Sequence, residues 1–155
     1  MFLCPIKQES PYITQYFGER PSVYNRFGLK GHNGLDFRCK SGTLLSSPID
    51  GVVFTGDEGR DGYGKYIRIK NGEYDVILAH LSKIEIRAGS KVKVGDPLAF
   101  SGNTGFSSAP HLHFGVRKLD SSGIIVNKNN GFAGYLDFFP FVVVWAKTLN
   151  ESISR

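Results

Sequence analysis

Cysteine, methionine and tryptophan are scarce in this sequence, whose 155 residues contain two, one and one of them. Cys4 and Cys39 form no C-x-x-C pair, so the chain has neither a disulfide-dense framework nor a cysteine-based zinc finger. Whether the two pair with each other depends on the redox compartment and is left open. No apolar run is long enough to cross a membrane, and the first residues lack the basic and apolar segments of a secretion signal. We therefore expect no transmembrane segment and no signal peptide in this chain.

Two common hydrolase signatures are also missing. The sequence contains no H-E-x-x-H metalloprotease motif, and no pair of carboxylates stands in a glycosidase-like arrangement. Basic residues outnumber acidic ones by 19 to 14, which gives a net charge of +5 and favours anionic partners. No cluster of basic residues alternates with aromatic ones as a nucleic-acid site requires, so we expect no nucleic-acid partner.

Length and patterning predict one mainly β domain. A chain of 155 residues is long enough for one core and too short for two ordinary domains, and we expect a monomer. Short segments rich in β-branched and aromatic residues alternate with glycine-bearing turns, which is typical of an antiparallel sheet with little helix. Asn71-Gly72 predicts a tight type I′ hairpin. Strands are predicted at 51–55, 66–70, 74–81 and 111–117, a loop or hairpin at 120–135, a segment packed back on the sheet at 138–145, and a short helix at the end.

The four histidines are confined to three short motifs: His32-x-x-x-Asp36, an isolated His80 after an apolar run, and the pair His111-Leu112-His113. Neutral imidazole is the commonest side-chain metal ligand. Alternate residues of a strand share a face, so the two histidines of the pair point the same way and can converge on one ion. The motifs therefore predict a metal site.

The first motif is predicted to be extended rather than helical. Gly31 and Gly34 flank and interrupt it, and glycine destabilises helix interiors by about 1 kcal/mol relative to alanine. In an extended segment His32, Gly34 and Asp36 share one face, and the glycine leaves room for an ion between the two ligands.

The number of ligands favours a catalytic site over a structural one. His32, Asp36 and one histidine of the 111/113 pair give three ligands, whereas a structural zinc usually has four. A catalytic zinc keeps one position open for water. His80 and the other histidine of the pair then remain to handle protons.

The ordered motifs resemble those of the M23 metallopeptidases, the lysostaphin-type or LytM domains that cut peptide cross-links in bacterial peptidoglycan. The resemblance extends from about residue 13 to 117, with a C-terminal loop and extension over 118–155, all within one domain spanning 1–155. It rests on Phe17-Gly18-Glu19-Arg20, His32 to Phe37, Ser47-Pro48-Ile49-Asp50-Gly51, Gly62-Tyr63-Gly64, Ala79-His80-Leu81, Val94-Gly95-Asp96, Gly102-Asn103-Thr104-Gly105 and Pro110-His111-Leu112-His113-Phe114.

This resemblance implies a role for each residue of the site. It assigns one catalytic Zn²⁺ to His32, Asp36 and His113, and it gives proton handling to His80 and His111, with the identity of the general base left open. It implies a lysostaphin/LytM-like antiparallel sheet, related to the duplicated hybrid motif, with a substrate groove. The expected function is that of a zinc metalloendopeptidase that acts on peptidoglycan peptides.

Several features depart from the family pattern or leave alternatives open. Leu78 stands where tyrosine is frequent, and Gly115 stands where an acidic residue often follows H-L-H-F. Tyr24 is the nearest tyrosine upstream of the first motif, but its spacing does not align, and it is not assigned to the site. The alternatives are a non-catalytic LytM-like module that binds peptidoglycan or activates another hydrolase, and an unrelated zinc hydrolase acting on another peptide.

The expected place of action is the bacterial cell wall. Without a signal peptide the chain would be delivered by a phage, released through a holin pore as an endolysin, or be trimmed of an export signal. The bond that is cut remains open.

Overall fold

The computed structural model describes residues 1–145, and the short helix predicted for the end of the chain lies outside them. A nine-stranded antiparallel sheet forms the body of the protein, and a two-stranded parallel pair joins the N-terminal segment to residues 142–143. The strands are β1 (Phe2–Leu3), β2 (Ile13–Gln15), β3 (Leu35–Arg38), β4 (Leu44–Ser46), β5 (Gly51–Asp57), β6 (Lys65–Lys70), β7 (Tyr74–Ile84), β8 (Lys91–Val92), β9 (Pro97–Ser101), β10 (His111–Lys118) and β11 (Val142–Val143).

Helix is confined to single turns in the described part of the chain. They are α1 (Pro21–Tyr24) and three 3₁₀ turns at Asn25–Phe27, Gly59–Asp61 and Phe139–Phe141. The prediction of a mainly β protein is therefore confirmed. The four predicted strands are present as β5, β6, β7 and β10, each extended by one or more residues.

The main sheet runs in the order β2-β3-β10-β7-β6-β5-β8, while β9 pairs with both β7 and β4. Strand β7 lies near the middle and is buried on both faces, which explains its continuous apolar sequence. One face carries the main core, with Leu78 of β7 and Phe114 of β10 fully buried in it. The opposite face carries Ile77 and Ala79 beneath a second, smaller cluster. The histidine pair of β10 lies on this second face.

The hairpin between β6 and β7 differs from the prediction. Neither Asn71 nor Gly72 has a positive φ, and a type I′ turn requires it at both central residues. Instead the side-chain oxygen of Asn71 accepts hydrogen bonds from the backbone N–H groups of Glu73 and Tyr74. This side chain takes the place of a backbone turn, so the type I′ prediction is wrong although the hairpin is present.

The C-terminal segment packs back on the sheet as predicted. Phe138 is buried and makes edge contacts with Phe2 and Phe114. The indole N–H of Trp145 donates to the backbone oxygen of Cys4. Cys4 and Cys39 are both buried and free, and burial raises the pKa of the Cys4 thiol to about 11.

Candidate metal centre and groove

Strand pairing brings the three motifs together. Strands β3 and β10 are antiparallel neighbours, and their register places His113 opposite Asp36 and His111 opposite Arg38. His32 lies just before β3, where its backbone N–H donates to Glu19 O at 2.8 Å. Residues 81 positions apart in sequence thus meet at one point, as their separation of 3.0 Å between His32 Nε2 and His113 Nδ1 shows.

Three side-chain atoms form a nearly equilateral triangle. His32 Nε2 and His113 Nδ1 each lie 3.0 Å from Asp36 Oδ1, and all three residues are buried. Two ligands of a tetrahedral zinc with bonds of about 2.1 Å lie about 3.4 Å apart, close to these separations. Two imidazoles and a carboxylate are also donors that zinc prefers. The residues present therefore fit a zinc ion.

The hydrogen bonds of His32 turn its lone pair towards the triangle. Its Nδ1 lies 3.1 Å from the backbone oxygen of Tyr16, and a carbonyl can only accept, so Nδ1 carries the proton. His113 has the opposite arrangement, with Nδ1 in the triangle and Nε2 buried without a hydrogen-bond partner among residues 1–145. A metal-binding histidine usually donates its second N–H to an acceptor, so on the Nε2 side packing alone must orient the ring of His113.

The carboxylate of Asp36 stays ionised in this site. Burial by itself raises its pKa, but hydrogen bonds and charge interactions with His113 and His32 outweigh burial and hold the pKa well below its ordinary value. Burial in turn lowers the pKa of His113. To bind a cation, both imidazoles must give up any proton that faces Asp36, so that a carboxylate and two ring nitrogens supply the ligand atoms.

Gly34 serves a different neighbour from the one predicted. A Cβ at this position would lie 2.9 Å from His113 Nε2 and 2.5 Å from the backbone oxygen of Phe114. The missing side chain therefore makes room for the imidazole of His113 rather than for an ion between His32 and Asp36.

His80 and His111 lie beside the triangle and face each other, with ring centroids 4.7 Å apart. His80 Nδ1 donates to Thr104 O at 2.8 Å, and His111 Nδ1 donates to Ala109 O at 2.9 Å. In a neutral ring, each bond places the proton on Nδ1 and leaves the lone pair on Nε2. His111 Nε2 lies 3.5 Å from Asp36 Oδ2, so this group is adjacent to the triangle.

The backbone of His80 is strained. Its φ of 62° is rare for a residue other than glycine, and the register of β7 against β6 shifts between Leu78 and Leu81, across this residue. Burial first, and then the neighbouring His113 and His111, lower its pKa to about 3. Strained residues concentrate at functional sites, and this one supplies a neutral imidazole.

A groove of about 820 Å³ opens over these residues. Tyr24 lies in its wall with its ring 5.3 Å from that of His32, and its hydroxyl accepts a hydrogen bond from Gln15 Nε2. Burial and the charge of Asp36 raise the pKa of Tyr24 to about 12. In the sequence, Tyr24 is marked only as the nearest tyrosine upstream of His32. The turn of helix α1 is what brings its ring to the site.

Comparison with known proteins agrees with this geometry. Residues 30–130 match the sequence model of peptidase family M23. The chain belongs to peptidase family M23. It is 40% identical over 84 residues to the peptidoglycan DD-endopeptidase ShyA of Vibrio cholerae, which covers 54% of this chain and 19% of that protein.

Solved structures of M23 proteins share the fold. The catalytic domain of the prophage-encoded M23 protein EnpA from Enterococcus faecalis has 28% identity and a TM-score of 0.63, over 82% of this chain and 95% of that one. A zinc-containing peptidase from Vibrio cholerae has 31% identity and a TM-score of 0.66, over 79% of this chain and 37% of that one. The M23 chain described here spans 18% to 31% of the length of the first curated relatives it matches.

No helix within residues 1–145 is both long enough and apolar enough to cross a membrane. Membership of the M23 family indicates a peptidase fold, and the cluster of two imidazoles and a carboxylate could hold a metal ion.

Proposed function

We propose that this M23 protein is a zinc-dependent endopeptidase that hydrolyses peptide stems or cross-links of bacterial peptidoglycan. The observation that carries the proposal is the complete set of five polar side chains that the fold gathers at one place beside the sheet. Three of them converge within 3.0 Å of one another, and two more, His80 and His111, present unprotonated nitrogens beside them.

His32, Asp36 and His113 would hold the zinc. A zinc ion held there would supply Lewis-acid chemistry: it would polarise a scissile carbonyl and lower the pKa of water, so that a nucleophile is available at neutral pH. Three protein ligands leave a position open for that chemistry. Proton transfer and stabilisation of the oxyanion are assigned to side chains of this protein.

His111 is the better candidate for the general base. Its Nδ1 is fixed on Ala109 O, and its Nε2 faces the Asp36 carboxylate at 3.5 Å, which stabilises the imidazolium that forms when the ring takes a proton. The same ring can then pass the proton to the leaving amine. His80 lacks such a carboxylate contact and has a pKa of about 3, so it orients water or the tetrahedral intermediate through Nε2.

Tyr24 is proposed as a hydrogen-bond donor to the developing oxyanion. Its pKa of about 12 keeps the hydroxyl protonated at working pH, and Gln15 Nε2 donates a hydrogen bond of 2.8 Å to the same oxygen and so fixes its position. A donor aimed at the charge that develops in the transition state typically contributes about 10²-fold or more in rate.

The proposed place of action is the cell wall, and the proposed active form is a monomer. The prophage origin of EnpA is a precedent for delivery by a phage. The alternative of a non-catalytic module has less support, since all three ligand positions and both proton-handling positions are filled by competent side chains.

The pair on β10 provides the test of the metal assignment. His113→Ala should lower zinc content and activity together, as should His32→Ala. His111→Ala, on the same strand face two residues away, should keep its zinc and lose about 10² in rate, the usual scale for a positioned base. Metal content and turnover are measured on the same preparations. If His111→Ala releases zinc while His113→Ala retains it, the assignment is wrong.

The products of digestion test the class of bond. Sacculi treated with the protein should gain free amino groups without new reducing sugar ends, and a strong chelator should stop the reaction until zinc is restored. Mass spectrometry of fragments from peptidoglycans of known cross-link identifies the bond. New reducing ends without amino groups would refute the endopeptidase proposal.

A further inference from the structure

Tyr63 contacts three parts of the site at once. Its ring packs against that of His113, with centroids 5.4 Å apart. Its hydroxyl accepts a hydrogen bond of 2.8 Å from Asn33 Nδ2, next to His32 in the chain. Its backbone oxygen accepts one of 2.9 Å from the N–H of His80. A shift of Tyr63 would therefore displace both His113, a candidate ligand, and His80, a candidate proton carrier.

The packing of Tyr63 matters because of the unpaired nitrogen of His113. That Nε2 is buried and has no hydrogen-bond partner within residues 1–145, so only the contact of Nδ1 with Asp36 Oδ1 at 3.0 Å fixes the ring by hydrogen bonding. The ring is held on one side by the backbone at Gly34 and stacks on another against Tyr63. Contact with Tyr63 thus helps to fix the orientation of the His113 ring, which a hydrogen bond from the second nitrogen usually fixes.

Tyr63 packs against the small cluster that contains Tyr135. The two rings belong to the same small cluster on the site face of the sheet. After burial, Tyr135 is the largest influence that raises the pKa of Tyr63, so the two phenol groups are close neighbours. Tyr135 lies beyond residues 30–130, the range that matches the family.

The missing side chain of Gly115 makes room for the ring of Tyr135. A Cβ at this position would lie 2.7 Å from the Tyr135 ring, so no larger residue fits two positions after His113 while that ring is in place. This accounts for the departure at Gly115 from the acidic residue common in related sequences. A side chain from the C-terminal segment occupies the space instead.

Buried charges fix the other end of Tyr135. Arg68 Nη2 donates to the Tyr135 hydroxyl at 2.9 Å, and Arg68 also donates to both oxygens of Asp75 at 3.2 Å. Arg117 donates to Asp75 at 2.6 Å and lies over the Tyr135 ring, 4.9 Å from its centroid. Buried ion pairs with several hydrogen bonds are geometrically specific, so the phenol has one position.

We propose that Tyr135 is a positioning residue for His113, acting through Tyr63. The inference rests on the proposed zinc site but not on peptide hydrolysis. It predicts that the hydroxyl of Tyr135, which contacts none of the three triangle residues directly, controls how tightly the triangle binds a metal ion.

The test is a double-mutant cycle read by metal affinity. Tyr135→Phe keeps the ring over Gly115 and removes only the hydroxyl. It should weaken zinc binding about tenfold, the lower end of the range for residues that support a ligand. Tyr63→Phe should do the same, because it removes the phenol oxygen that neighbours Tyr135. The double variant should lose little more than either single variant, because both changes break one chain of contacts.

Two further measurements separate positioning from general stability. The absorption spectrum of the cobalt-substituted protein should change in Tyr135→Phe, because the ligand field depends on the orientation of His113. Tyr74→Phe is the matched control, since Tyr74 packs against Phe2 in the main core and should alter neither zinc affinity nor spectrum.

Unchanged zinc affinity and an unchanged cobalt spectrum in Tyr135→Phe would overturn the proposal, even if the melting temperature falls. Strictly additive losses in the double variant would overturn it too. If the wild-type protein binds zinc but cleaves no peptidoglycan, the proposed function fails, while the cycle still decides the role of Tyr135.

Discussion

Replacing His80 by asparagine should make the stability of the metal-free protein less dependent on pH. Asparagine is the substitute of choice because it tolerates the left-handed backbone at φ 62° better than other non-glycine residues. Its amide can also donate to Thr104 O, the present partner of His80 Nδ1. The variant therefore removes the titrating ring with little change in the backbone.

The magnitude follows from the pKa of His80, which burial and the neighbouring His113 and His111 lower from 6.5 to about 3. The folded state binds a proton at this ring more weakly than the unfolded state does. Its contribution to stability is therefore fully present above pH 6.5 and is lost as the pH falls towards about 3. At about 1.4 kcal/mol for each tenfold change in proton affinity, the full loss is on the order of 5 kcal/mol.

Urea denaturation of both proteins between pH 7 and pH 4, with a chelator present, measures this difference. The wild type should lose stability relative to His80→Asn by about 1.4 kcal/mol for each pH unit below about 6. Circular dichroism at pH 7 checks that the variant keeps the fold. A difference between the two proteins that does not vary with pH would refute the reasoning, as would an NMR titration of His80 with a midpoint near 6.5.

Three other perturbations have defined outcomes. Gly34→Ala should weaken zinc binding more than tenfold and lower the stability by about 1–3 kcal/mol, because the added methyl group overpacks against His113. Gly72→Ala is the control, since a Cβ there meets open space, and it should change neither quantity. Chelator competition measures the zinc affinity and calorimetry the stability. Tyr24→Phe should retain zinc and lower kcat about 10²-fold, with KM nearly unchanged; a normal kcat would exclude the hydroxyl from the reaction. Lysis of cells should weaken as salt screens the net charge of +5 over about 10 Å at 0.1 M, whereas cleavage of a short soluble peptide should not, and equal sensitivity would contradict electrostatic targeting.

Much of the fold was accessible from the sequence because strand patterning is local. The four predicted strands correspond to β5, β6, β7 and β10, since β-branched and aromatic runs and the turn residues between them act over a few positions. The turn at Asn71 was wrong in type because a side-chain acceptor there competes with the backbone turn that the dipeptide normally favours.

The candidate site was accessible because its chemistry is concentrated in three short motifs. The structure brings His32, Asp36 and His113 to one point and places His80 and His111 beside it. Their roles as ligands and proton carriers stay predictions. Tyr24 could not be assigned from spacing, since its approach to His32 depends on the short helix α1 and the turn that follows it.

The sequence by itself determined the fold class and the five polar residues of the site, because both depend on residue type and on short spacings along the chain. Only the tertiary structure decided what holds the site together. The ring of Tyr135 packs over Gly115 and its hydroxyl accepts a hydrogen bond from Arg68. The second nitrogen of His113 is buried without a partner in the described part of the chain. These features depend on residues that are distant in sequence. Such contacts have no local pattern, because they are set by which strands are neighbours and by what space each glycine leaves.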